Sequence, residues 1–241
     1  MNKVHYLSKN KFGKLLILIY FIIAFIEIVA EFFKDNQIIW ITKPLIIPIL
    51  TIYYWRMSKE PNPIFLIALF FNWIANIFFI TQDYYYTIIG AYLFLVYRIA
   101  VIYLVLKKVK FPGIMPMIIS ALPFLLAYMY FVNLTYESIG NGIYIFVVQG
   151  ILIVFLVAFA LGNYIFKPNT SSMLLLISTI FFTVTQFILV LKYCYLSLNI
   201  FQPMAMFLFV LGQFILVLFL LLIEKEPVRY EIVNNIKSKE S

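Results

Sequence analysis

Residues 203–223 read PMAMFLFVLGQFILVLFLLLI, an uncharged run in which Gln213 is the one amide side chain. A helix of about 20 apolar residues is long enough to cross the hydrocarbon core of a bilayer. The run therefore predicts a membrane-spanning helix, and it sets the length scale for reading the rest of the chain.

Seven further apolar stretches of similar length lie outside this run, separated by short segments that contain Pro, Gly, Asn or charged residues. The eight predicted spans are roughly Lys14–Phe33, Ile38–Trp55, Ile64–Thr81, Tyr85–Leu106, Ile114–Val132, Gly142–Ile165, Met173–Leu196 and Pro203–Ile223. The predicted fold class is an all-α polytopic membrane protein with eight transmembrane helices. Polar tails, residues 1–13 and 224–241, flank the membrane domain, residues 14–223.

The composition excludes most other classes of protein. Of the 241 residues, 65% are hydrophobic and only 12% are charged, so a soluble domain of this length could not hide its apolar side chains. The chain has one cysteine, Cys194, and one histidine, His5, which excludes a disulfide framework and a Ser-His-Asp triad within the membrane. We therefore expect no metal site and no cofactor.

The basic residues predict the orientation. Of the 18 Lys and Arg residues, Lys34, Lys43 and Lys192 fall at one set of span ends, Arg98 falls within a span, and the other fourteen fall in the tails and connectors on the opposite side. The positive-inside rule then predicts that both termini are cytoplasmic. The net charge of +8 reflects this pattern and does not indicate a nucleic-acid partner. The abundance of Ile, Lys, Asn, Phe and Tyr suggests an AT-rich bacterial genome, and the predicted location is the bacterial cytoplasmic membrane.

A few ionisable residues fall inside the predicted spans. Glu27 and Glu31 are four residues apart and share a face of the first helix, and Arg98 lies near the middle of the fourth. A buried cation without a partner opposes insertion, so we expect Arg98 to pair with Glu27 or Glu31. Lys43 and Lys192, near span ends, are expected to extend towards the interface.

Further polar side chains predict a pocket inside the bundle, because each would otherwise face lipid without a partner. The predicted pocket-lining residues are Lys43, Asn72, Asn76, Arg98, Ser178, Thr179 and Gln213. We expect Asn72, Asn76, Arg98, Thr179 and Gln213 to converge on one cavity of a size that suits an amphiphile. The alternative is that such amides and hydroxyls, including Gln149, Thr183 and Gln186, only join neighbouring helices.

Five of the spans resemble a known family. The second span begins with Lys43-Pro44-Leu45-Ile46-Ile47-Pro48, which resembles the Lys-Pro-Leu-x-x-Pro opening of the YhhN family of lysoplasmalogenase-like membrane proteins. The stretches 71–78 and 90–98 are similar to its Ser-x-x-Gly-Asp and Gly-x-x-x-Phe-Leu-x-x-His helices. The stretches 175–187 and 211–216 are similar to its Leu-Phe-x-x-Ser-Asp and Ala-Gln-x-Leu-Ile helices. The resemblance is collinear from about residue 40 to residue 220.

The resemblance implies eight membrane helices and hydrolysis of the vinyl-ether bond of lysoplasmalogens by two aspartates within the membrane. The two aspartate positions correspond here to Asn76 and Thr179, and the histidine position corresponds to Arg98. Vinyl-ether hydrolysis needs a group that gains and loses a proton near neutral pH, and neither an amide nor a hydroxyl does so at a useful rate. The resemblance therefore implies a lipid pocket without the ancestral activity.

Three hypotheses follow from the sequence. The first is a divergent YhhN-type protein that binds a membrane lipid or lysophospholipid and has lost the hydrolase chemistry. The second is an active hydrolase of a related ether or ester lipid, with Glu27 or Glu31 as the catalytic residues. The third is an unrelated small transporter or sensor, although the sequence has no clear inverted repeat of the kind that many transporters contain.

Overall fold

The computed structural model describes residues 11–81, 83–139, 142–194 and 198–224. The predicted tails, residues 1–13 and 224–241, lie almost entirely outside this part of the chain. Throughout the described residues the regular structure is helical and comprises eight helices. In chain order they are α1 (Lys11–Phe33), α2 (Asn36–Met57), α3 (Pro63–Phe78), α4 (Tyr84–Lys108), α5 (Ile114–Ile139), α6 (Ile143–Phe166), α7 (Thr170–Cys194) and α8 (Phe201–Ile223).

Seven of these helices are long and apolar enough to cross a membrane. The exception is α3, whose 16 residues extend over only about 24 Å at 1.5 Å per residue. The predicted third span, Ile64–Thr81, was therefore too long. The helix starts after Asn62, whose side chain accepts hydrogen bonds from the backbone N–H groups of Ile64 and Phe65. It ends at Phe78 because the chain then tightens into a turn.

The helices pack mainly as consecutive pairs. α1 packs on α2, α3 on α4, α5 on α6 and α7 on α8, and further contacts of α8 with α1 and of α7 with α6 join the pairs. Helices α7 and α8 approach closely at Gly212, whose carbonyl accepts a hydrogen bond of 2.9 Å from the Ser178 hydroxyl. A Cβ atom at Gly212 would lie 2.8 Å from the Phe182 ring, so a glycine is required for this approach.

Both ends of the described chain lie at the same end of the bundle. The guanidinium of Arg56, near the end of α2, lies 5.8 Å from the ring of Phe12 at the start of α1. Glu224, directly after α8, accepts hydrogen bonds from Tyr54 at 2.5 Å and from Ser58 at 2.6 Å. The start of α1 and the end of α8 therefore lie on the same side of the bundle. We call this side the terminal end and the opposite side the distal end.

The two prolines of α2 explain how α3 is attached to it. Proline has no N–H group, so Pro48 cannot donate the usual helical hydrogen bond to the carbonyl of Pro44. The Nε1 of Trp73, on α3, donates to that carbonyl instead, at 2.8 Å. A carbonyl that would be unsatisfied within a membrane thus becomes a contact between two helices.

A glycine substitution tests the packing of α5 on α6. A Cβ atom at Gly150 would lie 1.8 Å from the ring of Tyr128, whose hydroxyl donates to the carbonyl of Phe146. Gly150→Ala should therefore lower the melting temperature in detergent, by an amount equivalent to about 1–3 kcal/mol. Gly162→Ala, also on α6, is the control, because its Cβ would lie 3.3 Å from Pro112. Equal melting temperatures for the two variants would contradict this packing.

Candidate functional site

A cavity of about 360 Å³ opens in the distal half of the bundle. Its walls come from α2, α3, α4, α6, α7 and α8, and most of its lining is apolar. Phenylalanine rings dominate this apolar lining: Phe79, Phe94, Phe146, Phe182 and Phe209. The volume lies at the lower end of the range for pockets that hold small molecules.

Arg98 lines this cavity with its guanidinium buried between α4, α6 and α7. Its Nη1 donates to the backbone carbonyl of Gln149 at 2.9 Å and to the Oε1 of Gln186 at 3.0 Å. The guanidinium also lies over the ring of Phe94, 5.1 Å from its centre. The polar contacts of Arg98 are therefore a carbonyl and an amide, which are dipoles and carry no net charge.

The predicted ion pair of Arg98 with Glu27 or Glu31 is wrong. Both glutamates are on α1, which packs against α2 and α8, whereas Arg98 faces α6 and α7. Within the described part of the chain, no carboxylate lies within ion-pair distance of Arg98. The burial of these three residues could be predicted from their charge, but the choice of partner depended on which helices are neighbours.

The cation that pairs with the two glutamates is Lys43. Its Nζ lies 2.5 Å from an oxygen of Glu31 and 3.8 Å from an oxygen of Glu27, and only 3% of its side chain is exposed. The expectation that Lys43 extends to the interface is therefore also wrong, because the spacing of Glu27 and Glu31 turns both carboxyl groups towards α2. Thr42 donates a further hydrogen bond to Glu27.

Lys43, Glu27, Glu31 and Thr42, together with Gln202 and Lys192, form what we call the ion cluster. Gln202 connects this cluster to α7 and α8. The Nε2 of Gln202 donates to Glu31 at 3.2 Å, and the Oε1 of Gln202 accepts from Lys192 at 2.7 Å. Lys43 and Gln202 line the cavity, whereas Glu27 and Glu31 lie behind them. The cluster thus joins the distal ends of four helices and forms part of the cavity wall.

The other predicted pocket residues are all buried, but only Asn76 is in the cavity lining. Asn76 donates from its Nδ2 to the side chain of Asn72 at 2.9 Å. Gln213 accepts from the hydroxyl of Tyr97 at 2.9 Å. Thr179 donates to the carbonyl of Leu176 within its own helix. These contacts hold Asn72, Gln213 and Thr179 in the helix packing next to the cavity.

Five threonine and glutamine residues of the lining were missing from the predicted set: Thr87, Gln149, Thr185, Gln186 and Gln202. The amides of Gln149 and Gln186 were visible in the sequence as possible contacts between helices. Thr87 and Gln202 carried no such signal, and Gln202 preceded the predicted eighth span. The Nε2 of Gln149 donates to the carbonyl of Ala91 at 2.7 Å, and its Oε1 is buried without a hydrogen-bond donor among the described residues.

The seven long apolar helices and the polar groups buried among them define an integral membrane protein with a cavity inside its helical bundle. The sequence model of the YhhN family matches residues 38–220, and the chain belongs to this family. The match includes Lys43, Asn76, Arg98 and Gln149, and it leaves out α1 with its two glutamates. No curated protein and no solved structure matches the chain.

The ion cluster gives a prediction for stability. Lys43→Met should lower the yield of folded protein, because it leaves two carboxyl groups buried without a cation, at a cost of about 3–5 kcal/mol. Adding Glu31→Gln to this variant should recover part of the yield, since one of the stranded groups is then neutral. Yield is measured by fluorescence-detected gel filtration in detergent.

Lys34→Met is the matched control for this experiment. Lys34 lies at the same end of the bundle and is exposed, so the same chemical change there should leave the yield nearly unchanged. The pairing is contradicted if Lys34→Met and Lys43→Met reduce the yield equally. It is also contradicted if adding Glu27→Leu restores the yield of the Arg98→Leu variant, because that result would require Arg98 to pair with Glu27.

Proposed function

We propose that this protein is an eight-span YhhN-type membrane protein that binds a single-chain amphiphile, such as a lysophospholipid, in the distal cavity. We further propose that it has lost vinyl-ether hydrolase activity. The observation that carries both parts is the character of the lining: it is mostly apolar, and none of the described residues in it is an Asp, Glu or His.

The position and composition of the cavity support an amphiphile as the ligand. An apolar wall with a few convergent polar groups is the general pattern of small-molecule sites. The aromatic side chains suit an acyl or alkenyl chain, while Asn76, Arg98 and Gln149 suit a polar headgroup. Since the cavity lies in the distal half of a membrane bundle, a lipid in the surrounding bilayer is the most accessible ligand.

The distribution of charge supports an orientation with both termini in the cytoplasm. Phe12 and Glu224 lie at the terminal end, together with Arg56 and Lys107 in the last turns of α2 and α4 and with Lys167 directly after α6. Two of the three cations predicted for the opposite side, Lys43 and Lys192, are in the distal ion cluster. By the positive-inside rule, the cavity then opens towards the outer leaflet. If the short helix α3 also crosses the membrane, the number of crossings is eight, which puts both termini on the same side.

The loss of activity follows from the chemistry of the vinyl ether. Hydrolysis requires a proton on the alkene carbon, water on the adjacent carbon, and breakdown of the resulting hemiacetal to an aldehyde and an alcohol. Each proton transfer needs an acid or a base within hydrogen-bond reach of the substrate. Asn76 is in the lining but cannot perform either role, and Thr179 is directed to a carbonyl of its own helix.

The first test of this proposal is an assay of aldehyde release from a lysoplasmalogen. The unmodified protein should show no turnover above background. Asn76→Asp combined with Thr179→Asp should produce measurable turnover if the cavity still fits the substrate, and each single variant should gain little, since the acid and the base are both needed. General acid–base groups contribute about 10²–10⁴-fold each.

Turnover by the unmodified protein would contradict the loss of activity. In that case Glu27→Gln and Glu31→Gln would identify the acid, because Glu31 contacts two residues of the cavity wall. A hydrolase that uses one of these groups would then replace the present proposal.

The second test fills the cavity. Ala91 lines it, so Ala91→Phe should reduce the binding of a fluorescent lysophospholipid by about tenfold or more, because the new ring occupies the space of the chain. Ile119→Phe, on the exposed face of α5, is the control and should bind like the unmodified protein. Equal binding by both variants, measured by fluorescence anisotropy in detergent, would place the ligand outside this cavity.

A further inference from the structure

We propose that the ligand of this cavity is an anionic amphiphile whose oxyanion, a phosphate or a carboxylate, binds Arg98 as its counter-ion. This inference deepens the proposed function and rests on it, because it presupposes that an amphiphile enters the cavity. It adds the sign of the ligand's charge and the residue that recognises it.

The first argument is the uncompensated charge of Arg98. The residue is only 4% exposed, and it has no carboxylate within ion-pair distance among the described residues. Buried charges in proteins are normally paired, since dipoles alone replace only part of the lost hydration. Arg98 lines the cavity, so a counter-ion inside the cavity can reach the guanidinium.

The second argument compares Arg98 with the other cation of the cavity wall. Lys43 is satisfied by Glu31 and Glu27, both of which lie behind the wall. The acidic groups near the cavity are thus committed to the ion cluster. An anionic ligand would therefore be attracted to Arg98 and not to Lys43, because the positive charge of Arg98 is not paired with a described carboxylate.

The third argument is the geometry of the guanidinium. Its Nη1 makes both protein hydrogen bonds, to Gln149 and Gln186. The N–H groups of Nε and Nη2 make no hydrogen bond to any residue that the structure describes. These two nitrogens form one edge of the guanidinium fork, which matches the two oxygens of a carboxylate or phosphate. The amides hold the fork in place and leave this edge for a ligand.

A neighbouring acceptor adds a second feature to the ligand. The bond from Nε2 of Gln149 to Ala91 fixes the amide, and its Oε1 is a buried acceptor without a donor among the described residues. A headgroup with a hydroxyl next to its oxyanion would satisfy both Arg98 and Gln149. A lysophosphatidic acid, with a phosphate monoester and a free glycerol hydroxyl, has this chemistry, whereas a fatty acid has only the oxyanion.

The experiment compares amphiphiles of one chain length on the purified full-length protein in a non-ionic detergent. The probes are oleoyl lysophosphatidic acid, oleic acid, oleoyl lysophosphatidylcholine and the neutral monooleoylglycerol, with affinity measured by displacement of a fluorescent lysophospholipid. The two anionic probes should bind about 10–100-fold more tightly than monooleoylglycerol, the range expected for one charge-assisted hydrogen-bond pair. The phosphate should bind more tightly than the carboxylate, because it carries more negative charge and its glycerol hydroxyl can donate to Gln149.

Two variants locate the effect at Arg98. Arg98→Gln removes the cation and should reduce the preference for the anionic probes to near unity. Gln186→Glu places a carboxylate at 3.0 Å from the guanidinium in a side chain of the same shape. It should fold at least as well as the original protein and should weaken the anionic probes about 10–100-fold more than it weakens monooleoylglycerol. Arg56→Gln, an exposed arginine at the terminal end, is the control.

The possible failures are distinguishable. If monooleoylglycerol binds as tightly as the anionic probes and Gln186→Glu has no effect, the anionic ligand is wrong and the amphiphile pocket stands. If no probe binds and Ala91→Phe changes nothing, the pocket itself is wrong. If inorganic phosphate displaces the fluorescent probe as well as lysophosphatidic acid does, the site takes a small anion and the amphiphile is wrong.

Discussion

The structure depends on one constraint: a polar group within the hydrocarbon region must find its partner inside the protein, because lipid offers none. The ion cluster around Lys43 is the clearest consequence. Its carboxyl groups come from α1, its ammonium from α2 and its amide from α8, so the charges of one helix are neutralised only when the others are packed against it. The same constraint acts on the backbone, where the carbonyl that Pro48 leaves free in α2 is satisfied by Trp73 of α3. Electrostatic pairing thus selects neighbouring helices in a medium where apolar surfaces alone discriminate poorly.

The constraint also separates the two buried cations by their roles. Lys43 has its counter-ions within the protein and serves as a structural part of the cavity wall. Arg98 is held by dipoles and faces the space between α4, α6 and α7. The proposed binding of a ligand without hydrolysis rests on this contrast and on the apolar lining of the cavity.

Much of the fold could be predicted from hydropathy, because the length of an apolar run reflects the thickness of the membrane it must cross. Most helix boundaries lie within a few residues of the predicted spans. The prediction was least accurate at the end of α5, which continues past the predicted Val132 to Ile139. At α3 the capping side chain of Asn62 and the turn after Phe78 limit the helix to 16 residues. The burial of Glu27, Arg98 and Gln213 was also predictable, since each would oppose insertion if it faced lipid. The family was visible in a collinear series of short motifs and is confirmed over residues 38–220.

The helical class, the succession of apolar helices and the set of polar residues that must face inwards all follow from the order of the amino acids. Which of those polar residues meet depends on how the helices pack. Helical periodicity specifies the face on which Glu27, Glu31 and Arg98 lie, but it contains no information about the helix opposite that face. Because α1 packs against α2 and α8, its glutamates form ion pairs with Lys43. Because α4 lies near α6 and α7, Arg98 lies at the cavity. An ion pair forms only when two charges lie within a few ångströms of each other. The packing of the helices sets these distances, so it also determines which residues pair.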